Sequence, residues 1–314
     1  MGRFGFVAKR LLQTVPLLLG IVLIVFLLLK VTPGDPVRQI VGLRASQEQL
    51  DAVRKQLGLN DPVVAQYGRY VARLLRGDLG YSYKSLQPVS TMIGDRIGVT
   101  AWLMSVGIIL TLLITVPLSI ASAIRKDRPV DHVIRAGGLV GLTMPAFWVG
   151  VMLLLTVALP TGWFPAGGFG DTIPQHARSI FLPALTLAIG TAPILIRSLR
   201  ASIISVLGSE YVATARSLGV SEARLIRRFV LRNAAAASVT LLALEIGFLL
   251  FGAVVIETTF ALPGVGQGLV LAARGRDLPA IQGYTLLFAI VVVAVYLASD
   301  IATALLDPRV EIRS

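Results

Sequence analysis

The sequence predicts an all-α, polytopic membrane protein with six transmembrane helices. Its 314 residues are 55% hydrophobic and only 15% charged, and its mean hydropathy is +0.79, which is more apolar than a soluble core requires. A helix needs about 20 apolar residues to cross the ~30 Å hydrocarbon layer of a bilayer. Six runs of about this length occur, at Leu11 to Leu29, Thr100 to Ile124, Gly137 to Leu159, Phe181 to Leu199, Ala235 to Ile256 and Tyr284 to Leu306.

The positive charges predict the orientation of these spans. The formal net charge is +12, and the basic residues precede the first run, follow the second and fill the stretch between the fourth and fifth. Because cytoplasmic loops of membrane proteins are enriched in Lys and Arg, we expect a multi-pass protein of the cytoplasmic membrane with both termini in the cytoplasm. The charges lack the aromatic interleaving of a nucleic-acid surface, so membrane lipid is expected as a partner and nucleic acid is not.

The chain divides into three parts. Residues 1–30 form a cytoplasmic N-terminus and the first transmembrane helix, which we interpret as an uncleaved anchor because no small-residue cleavage site follows it. Residues 31–98 form an extracytoplasmic helical segment, and residues 99–314 hold the other five spans. The sequence contains no cysteine, so packing without disulfides must hold the outward segment.

Local signals predict helix ends and kinks within these parts. Ser46 and Gln49 predict a capping box for a helix that runs through Leu57, and Asp61-Pro62 predicts the start of a second helix. Pro117 in the second span, Pro193 in the fourth and Met144-Pro145 at the third predict kinks.

A polar, basic stretch at 209–233 interrupts the apolar runs. The pattern predicts two short helices, the first through Tyr211 and Leu218 to a C-capping Gly219, and the second from Ser221. Leu225, Ile226 and Phe229 share one face of that second helix. An amphipathic helix-turn-helix of this kind can dock into a groove of another protein. The competing interpretation is a basic loop that only fixes the topology.

Two carboxylates fall inside predicted spans, where ionised groups are costly and usually face a partner or a cavity. For Asp300 we favour a structural ion pair or hydrogen bond with Arg197 or Arg200. Glu245 lies nearer the middle of its span and is a candidate for lining a translocation path, where it would meet a substrate's ammonium group.

The residues that hydrolytic chemistry needs are absent from the sequence. The only histidines, His132 and His176, lie in loops predicted on opposite sides of the membrane, and no catalytic triad or metal site can be assembled from them. None of the five lysines follows a glycine, so the chain has no Walker A loop. We therefore predict a chain that is not an enzyme and holds no cofactor or metal.

The stretch 209–233 resembles the coupling motif of binding-protein-dependent ABC importer permeases, which reads Glu-Ala-Ala, three residues, Gly, nine residues and Ile-any-Leu-Pro. Ala213-Thr214-Ala215 occupies the first position, and Gly219 and Leu231 match. Phe229 replaces the isoleucine and Arg232 replaces the proline. The order Glu210-Tyr211-Val212 followed by Thr214-Ala215-Arg216 is similar to the form in dipeptide and oligopeptide importers.

This resemblance implies the type I ABC importer permease fold, with the extracytoplasmic helical insertion between helices 1 and 2 and the permease core at 99–314. It implies a subunit that translocates dipeptides or oligopeptides by alternating access. The implied partners are a second homologous permease, two ABC ATPase subunits that bind ATP and Mg²⁺, and an extracytoplasmic substrate-binding protein that delivers the peptide.

The resemblance also implies two contact sites. The ATPase-coupling residues would be Glu210, Tyr211, Ala213, Thr214, Ala215, Arg216, Gly219 and Leu225. A second site, on a narrow protruding turn outside the membrane, would touch the binding protein through Leu262, Pro263, Gly264, Val265 and Gly266.

Two alternatives stay open from the sequence. Importers of the same class are assigned to nickel, glutathione or haem, and the external binding protein does most of the selecting. The alternative from another class is a secondary transporter driven by an ion gradient, for which buried acid pairs or broken helices in repeated halves would be expected.

Overall fold

The computed structural model describes residues 3–31, 36–41, 46–56 and 58–306, and nearly all of them are helical. Within these ranges, the description leaves out the side chains of 3–11, 28–31, 36, 39–40, 235–240, 243, 300 and 302–306. In the described chain, β pairing is limited to an isolated antiparallel bridge between Tyr81 and Pro88. The predicted all-α class is confirmed.

Fourteen helices cover the described ranges, and two of them join their successors through π-helical turns. In chain order the helices are α1 (Arg3–Val31), α2 (Pro36–Val41), α3 (Gln47–Gln56), α4 (Val63–Leu75), α5 (Val89–Ile124), α6 (Pro129–Thr143), α7 (Ala146–Leu153), α8 (Leu159–Thr161), α9 (Ile173–Leu207), α10 (Glu210–Ser217), α11 (Glu222–Arg224), α12 (Leu231–Thr259), α13 (Val265–Gly275) and α14 (Leu278–Leu306). The π-helical turns are Leu154–Ala158 and Leu225–Val230.

Long apolar helices make this a polytopic membrane fold. In the described residues, three helices are long and apolar enough to cross a bilayer, namely Val89–Ile124, Ile173–Leu207 and the Leu278–Ser299 part of α14. The pair Pro129–Thr143 and Ala146–Thr161 adds a fourth if it forms one broken span. The first and fifth predicted runs fall on α1 and α12, parts of which lack described side chains. The count of six therefore stays a prediction.

The third predicted span is bent rather than straight. We expected one run from Gly137 to Leu159, but α6 and the helix that begins at Ala146 meet at 102°. Met144 and Pro145 between them are extended, with ψ angles of 126° and 134°. Proline has no amide hydrogen and disfavours the helical conformation of the residue before it, so the helix stops here. In contrast, Pro193 lies inside α9 without ending it.

The chain forms two compact units, and the first contains Met1–Gly98 and Gly264–Val293. In this unit α1 packs against α4 through aromatic rings. The Phe26 ring centroid lies 5.8 Å from that of Tyr70 and 5.6 Å from that of Tyr67, and the Tyr67 hydroxyl donates a hydrogen bond to the Leu19 carbonyl over 2.9 Å. These contacts hold α4 against the first long helix.

The local signals for helix starts in this segment hold. The Ser46 amide donates to Gln49 Oε1 over 3.0 Å and the Gln49 amide donates to Ser46 Oγ over 3.3 Å, which is the predicted capping box. Its helix is described as far as Gln56, and the predicted end at Leu57 lies outside the described residues. The second predicted helix is α4, which follows Pro62.

The second unit contains Val99–Pro263 and Ala294–Ser314. Helix α9 is its centre and packs against α12, α6 and α7. The buried side chains of its main apolar cluster come from α5, α9, α12 and the loop after α12, among them Leu103, Ile180, Leu187, Leu249, Ile256 and Leu262. This arrangement places the end of α9 and the start of α12 on either side of the stretch 209–233.

We expect Phe26→Ala to lower the free energy of unfolding by about 3 kcal/mol, because it removes a buried ring that packs on both Tyr67 and Tyr70. A denaturant titration of the purified chain in mild detergent measures this loss. The matched control is Leu23→Ala on the same helix, whose side chain is 39% exposed and whose loss should cost much less. Equal losses in the two variants would contradict the packing described for α4.

Candidate functional site

The first arm of the stretch 209–233 is a short helix closed by a left-handed glycine. Helix α10 follows an extended Ser209 and ends before Gly219, whose φ is +78°. The Gly219 amide donates to the Arg216 carbonyl over 3.1 Å, and the Val220 amide donates to the Ala215 carbonyl over 3.2 Å. These two bonds form a Schellman cap, which favours glycine at the left-handed position. The predicted C-cap is confirmed.

The second arm differs from the prediction of a separate short helix. After Ser221 the chain forms α11, passes through the π-helical turn Leu225–Val230 and continues into α12 without a break. A π-helical turn brings residues five apart onto one face. Leu225 and Val230 are accordingly both fully buried, whereas Phe229 is half-buried.

Both arms rest on an apolar cluster that we call the coupling core. It joins α5, α9, α10, the π-helical turn and α12, and its buried members are Ala123, Leu199, Ile203, Val212, Ala215, Leu225, Val230 and Ala234. Two predicted contact residues, Ala215 and Leu225, are therefore interior side chains. They are 8% and 0% exposed, so they lie beneath the exposed residues of the two arms, and their contact with an ATPase stays a prediction.

The other predicted coupling residues are exposed together on α10 and its turn. We call this set the coupling surface, and it consists of Glu210, Tyr211, Ala213, Thr214, Arg216 and Gly219. A Cβ atom added at Gly219 would meet nothing within 4 Å, so the space above the turn is open. The Tyr211 hydroxyl accepts a hydrogen bond from Asn233 Nδ2 over 3.2 Å, which links α10 to α12.

An ion pair connects the two arms at the surface. Arg216 Nε donates to Glu222 Oε1 over 2.7 Å, and Arg216 Nη2 donates to Glu222 Oε2 over 3.3 Å. The hydrogen bonds from Arg216 hold the pKa of the Glu222 carboxyl below its ordinary value. The pair joins the two arms at their surface, and exposed pairs of this kind contribute little to stability.

The predicted binding-protein turn does not protrude. Leu262, Val265 and both glycines of the sequence Pro-Gly-Val-Gly are buried, and Pro263 alone of the five predicted residues is exposed. Ala261 has a left-handed φ of 49°, and the Leu262 amide donates to the Glu257 carbonyl over 2.8 Å, which turns the chain inward. Within this chain the five residues from Leu262 to Gly266 thus do not form an exposed turn, and their contact with a binding protein stays a prediction.

A buried carboxylate that the sequence did not single out lies just before this loop. Glu257 is fully buried near the end of α12, and its Oε1 accepts a hydrogen bond from Thr100 Oγ1 over 2.6 Å. Glu257 was missed because it follows the apolar run that ends at Ile256. The available signal was Thr100, a hydrogen-bond donor at the start of another predicted span.

The two acids predicted inside spans have different outcomes. Glu245 is 4% exposed and lies in the interior of the second unit. That burial gives no support to a path-lining role, which stays a prediction. The side chain of Asp300 lies outside the described residues. Of its two predicted partners, Arg197 is exposed and Arg200 is bound to another carboxylate.

That other carboxylate is Asp131, in the first turn of α6, and it is fully buried. Arg200 Nη2 lies 2.5 Å from Asp131 Oδ2, and Arg200 Nε lies 2.8 Å from Oδ1 and 3.0 Å from Ser122 Oγ. The Ser122 hydroxyl donates to Asp131 Oδ1, and the Asp127 amide donates to Oδ2 over 3.0 Å. We call Ser122, Asp131 and Arg200 the α9 lock. Sequence reasoning missed it because Asp131 stands in a basic loop and resembles a solvated acid.

Two known protein families match the chain. Residues 115–312 match the family described as "Binding-protein-dependent transport system inner membrane component". Residues 3–104 match the family of the N-terminal part, described as "Binding-prot-dependent transport system membrane comp, N-term". Both arms of the stretch 209–233 and the three residues of the α9 lock lie within the matched residues 115–312.

Individual relatives are similar over nearly the whole chain. The glutathione transport system permease protein GsiC of Salmonella paratyphi A is 37% identical over 306 residues, which are 98% of each chain. A putative peptide transport system permease protein of Brucella abortus is 36% identical over 307 residues, which are 97% of this chain and 98% of the relative.

A solved structure shares the fold. The MetNI methionine ABC transporter, in an inward-facing conformation, aligns with a TM-score of 0.57 over 69% of this chain and 96% of that chain. The sequences are 14% identical there, so the likeness shows the fold alone.

We expect Thr100→Val to destabilise the chain by about 2 kcal/mol, because it removes a donor from a buried carboxylate while keeping the side-chain shape. Thermal unfolding in mild detergent measures the effect. Thr258→Val is the control. The exposed Thr258 hydroxyl donates hydrogen bonds only to the Val254 and Val255 carbonyls of its own helix, so its loss should cost much less. If Thr100→Val unfolds at the wild-type temperature, the bond to Glu257 carries no stability.

Proposed function

The chain belongs to the family of binding-protein-dependent transport system inner membrane components, and on that premise we propose that it is the permease subunit of an ATP-driven peptide importer. It is a multi-pass permease of the inner membrane with the fold of ABC importer permeases. The observation that carries the proposal is the coupling surface, a small exposed set of residues on a turn held rigidly by the coupling core.

Peptides are the proposed substrate class. One close relative carries the name of a glutathione transporter and another that of a putative peptide transporter. Glutathione is itself a modified tripeptide, so both names describe short amide-linked substrates with charged ends. Glutathione is accordingly the second candidate substrate for this chain, and the relative at 37% identity is the observation that favours it.

The proposed complex contains three further subunits and a separate delivery protein. Because the family depends on a binding protein, we place a substrate-binding protein outside the membrane. A second homologous permease completes the pore, and two ABC ATPase subunits bind ATP and Mg²⁺ on the cytoplasmic side. The chain contains no Walker A sequence, so the energy must enter through a partner.

The proposed docking site is the coupling surface, with both termini of the chain on the same cytoplasmic side. Ala213 and Gly219 present little side-chain bulk, so a groove of the ATPase can approach the α10 backbone closely. The Arg216 to Glu222 pair keeps the second arm from swinging away. Closure of the ATPase subunits would then shift α10 as a rigid body and switch the access of the pore.

The gradient-driven alternative has one feature in its favour. The bend between α6 and α7 breaks a span, and broken helices are common in secondary transporters. That bend follows from Met144 and Pro145, however, and explains neither the coupling surface nor the family membership. We therefore retain the ATP-driven importer.

Isolation of the chain with its partners tests this function. We expect a tagged chain, extracted gently from native membranes, to bring with it a second permease, two ATPase subunits and a binding protein, all identified by mass spectrometry. The ligand carried by the recovered binding protein would distinguish glutathione from other peptides. Recovery of the chain alone or as a homo-oligomer, under conditions that preserve a known importer, would overturn the proposal.

Gly219→Trp tests the docking site directly. Because the space above Gly219 is open, the indole meets no atom of the permease and fills the gap that the ATPase groove needs, while the φ of +78° costs about 1–2 kcal/mol of backbone strain. We expect the complex to assemble and ATP-driven uptake by proteoliposomes to fall by at least about ten-fold, a typical size for coupling between sites.

The control for that variant is Gly219→Ala, because alanine carries the same left-handed backbone strain as tryptophan without the bulk of the indole. It should transport nearly as well as the wild type. Normal uptake by Gly219→Trp would refute the placement of Gly219 in the ATPase groove.

A further inference from the structure

The α9 lock lies where the coupling core meets the turn between α5 and α6. Ser122 precedes Ala123 in sequence, and Arg200 follows Leu199, and both of those neighbours belong to the coupling core. Asp131 belongs to α6, which contributes no buried side chain to that core. The lock is therefore the polar link between α6 and the helices that carry α10.

Several hydrogen bonds to the Asp131 carboxylate fix the geometry of the lock. The guanidinium of Arg200 contacts both carboxylate oxygens of Asp131 and also bonds Ser122 Oγ from Nε. Paired bonds of this kind to a planar guanidinium restrict orientation as well as distance. The Asp127 amide, in a turn residue with φ of 60°, donates a further hydrogen bond to Asp131 Oδ2.

The network is also protected from water. Ser122 and Asp131 are fully buried, and the Arg200 side chain is 17% exposed. A buried ion pair adds little net stability compared with well-packed apolar side chains. In some proteins such a pair contributes a preferred arrangement of the helices that carry it, because moving them would leave buried charges without partners.

We propose that Arg200 and Asp131 are positioning residues for energy coupling, which make α5, α6, α9 and the coupling turn move as one body. The inference rests on the proposed function for its transport consequence, but the rigid link itself is a property of this chain. When a partner displaces α10, the coupling core carries the motion to α5 and α9. Helix α6 packs directly on α9, and the lock fixes its position along α9. Without the lock, α6 would shift against α9 as α10 moves, and ATP would be hydrolysed without transport.

The test uses the double variant Asp131→Leu/Arg200→Met in the full chain. Removal of one partner would leave an unpaired buried charge and risk misfolding, whereas removal of both leaves apolar side chains of similar size. We expect the assembled importer to hydrolyse ATP at the wild-type rate but to consume at least about ten times more ATP per substrate moved, within the usual range of coupling effects. The ratio is independent of how much protein folds, so a merely structural role would not change it.

The matched control is Arg125→Gln, which removes an exposed cation from the α5–α6 turn without touching the lock. It should keep the wild-type ratio of ATP to substrate. A double variant that also keeps the wild-type ratio, in a complex whose wild type transports, would overturn the coupling role.

A second measurement tests the rigid link without ATP, ATPase or substrate. Because the sequence has no cysteine, spin labels can be placed at Ala213→Cys on α10 and Lys126→Cys in the α5–α6 turn of the otherwise native chain in lipid nanodiscs. We expect one narrow distance distribution in the wild-type background and at least about a two-fold broader one in the double variant, as for an element released from a single packed arrangement. Equal widths would overturn the inference even if the importer function holds, and a narrow wild-type distribution that broadens would support it even if that function fails.

Discussion

The burial of apolar side chains in the coupling core is the interaction on which the functional surface depends. Helix α10 has eight residues, and an isolated helix of that length is not stable in water. It persists because Val212 is fully buried beneath it and Leu225 is fully buried beneath the second arm. The buried side chains of the coupling core therefore hold the coupling surface in place, and its exposed residues are not needed for that packing.

Buried carboxylates fix the relative positions of helices more closely than apolar contacts do. The hydrophobic effect is non-directional, whereas a buried carboxylate must keep its hydrogen-bond donors. Asp131 is held by Arg200, and Glu257 accepts a bond from Thr100. Each pair joins helices far apart in sequence. The second unit thus combines a permissive apolar core with two fixed polar links.

The features that the sequence predicted correctly are those with local causes. The left-handed cap at Gly219 and the capping box at Ser46 depend on residues within one helical turn, so residue type suffices to predict them. The burial of the loop after Pro263 and the partner of Asp131 depend on distant segments. The residue types near Pro263 predict that the chain reverses direction, but they do not indicate which segments cover the turn. In the same way, an acid in a predicted loop gives no sign that it binds a buried arginine.

The connections around α10 tie it closely to two long helices. Only Gly208 and Ser209 separate α9 from α10, and after the turn at 218–221 the second arm passes through the π-helical turn into α12 without a gap. The second arm is thus a rigid extension of α12. The π-helical turn makes this possible, because it rotates Leu225 and Val230 together into the core while α12 keeps its own register. A separate second helix, as the sequence had suggested, would have introduced a joint where a rigid connection is needed.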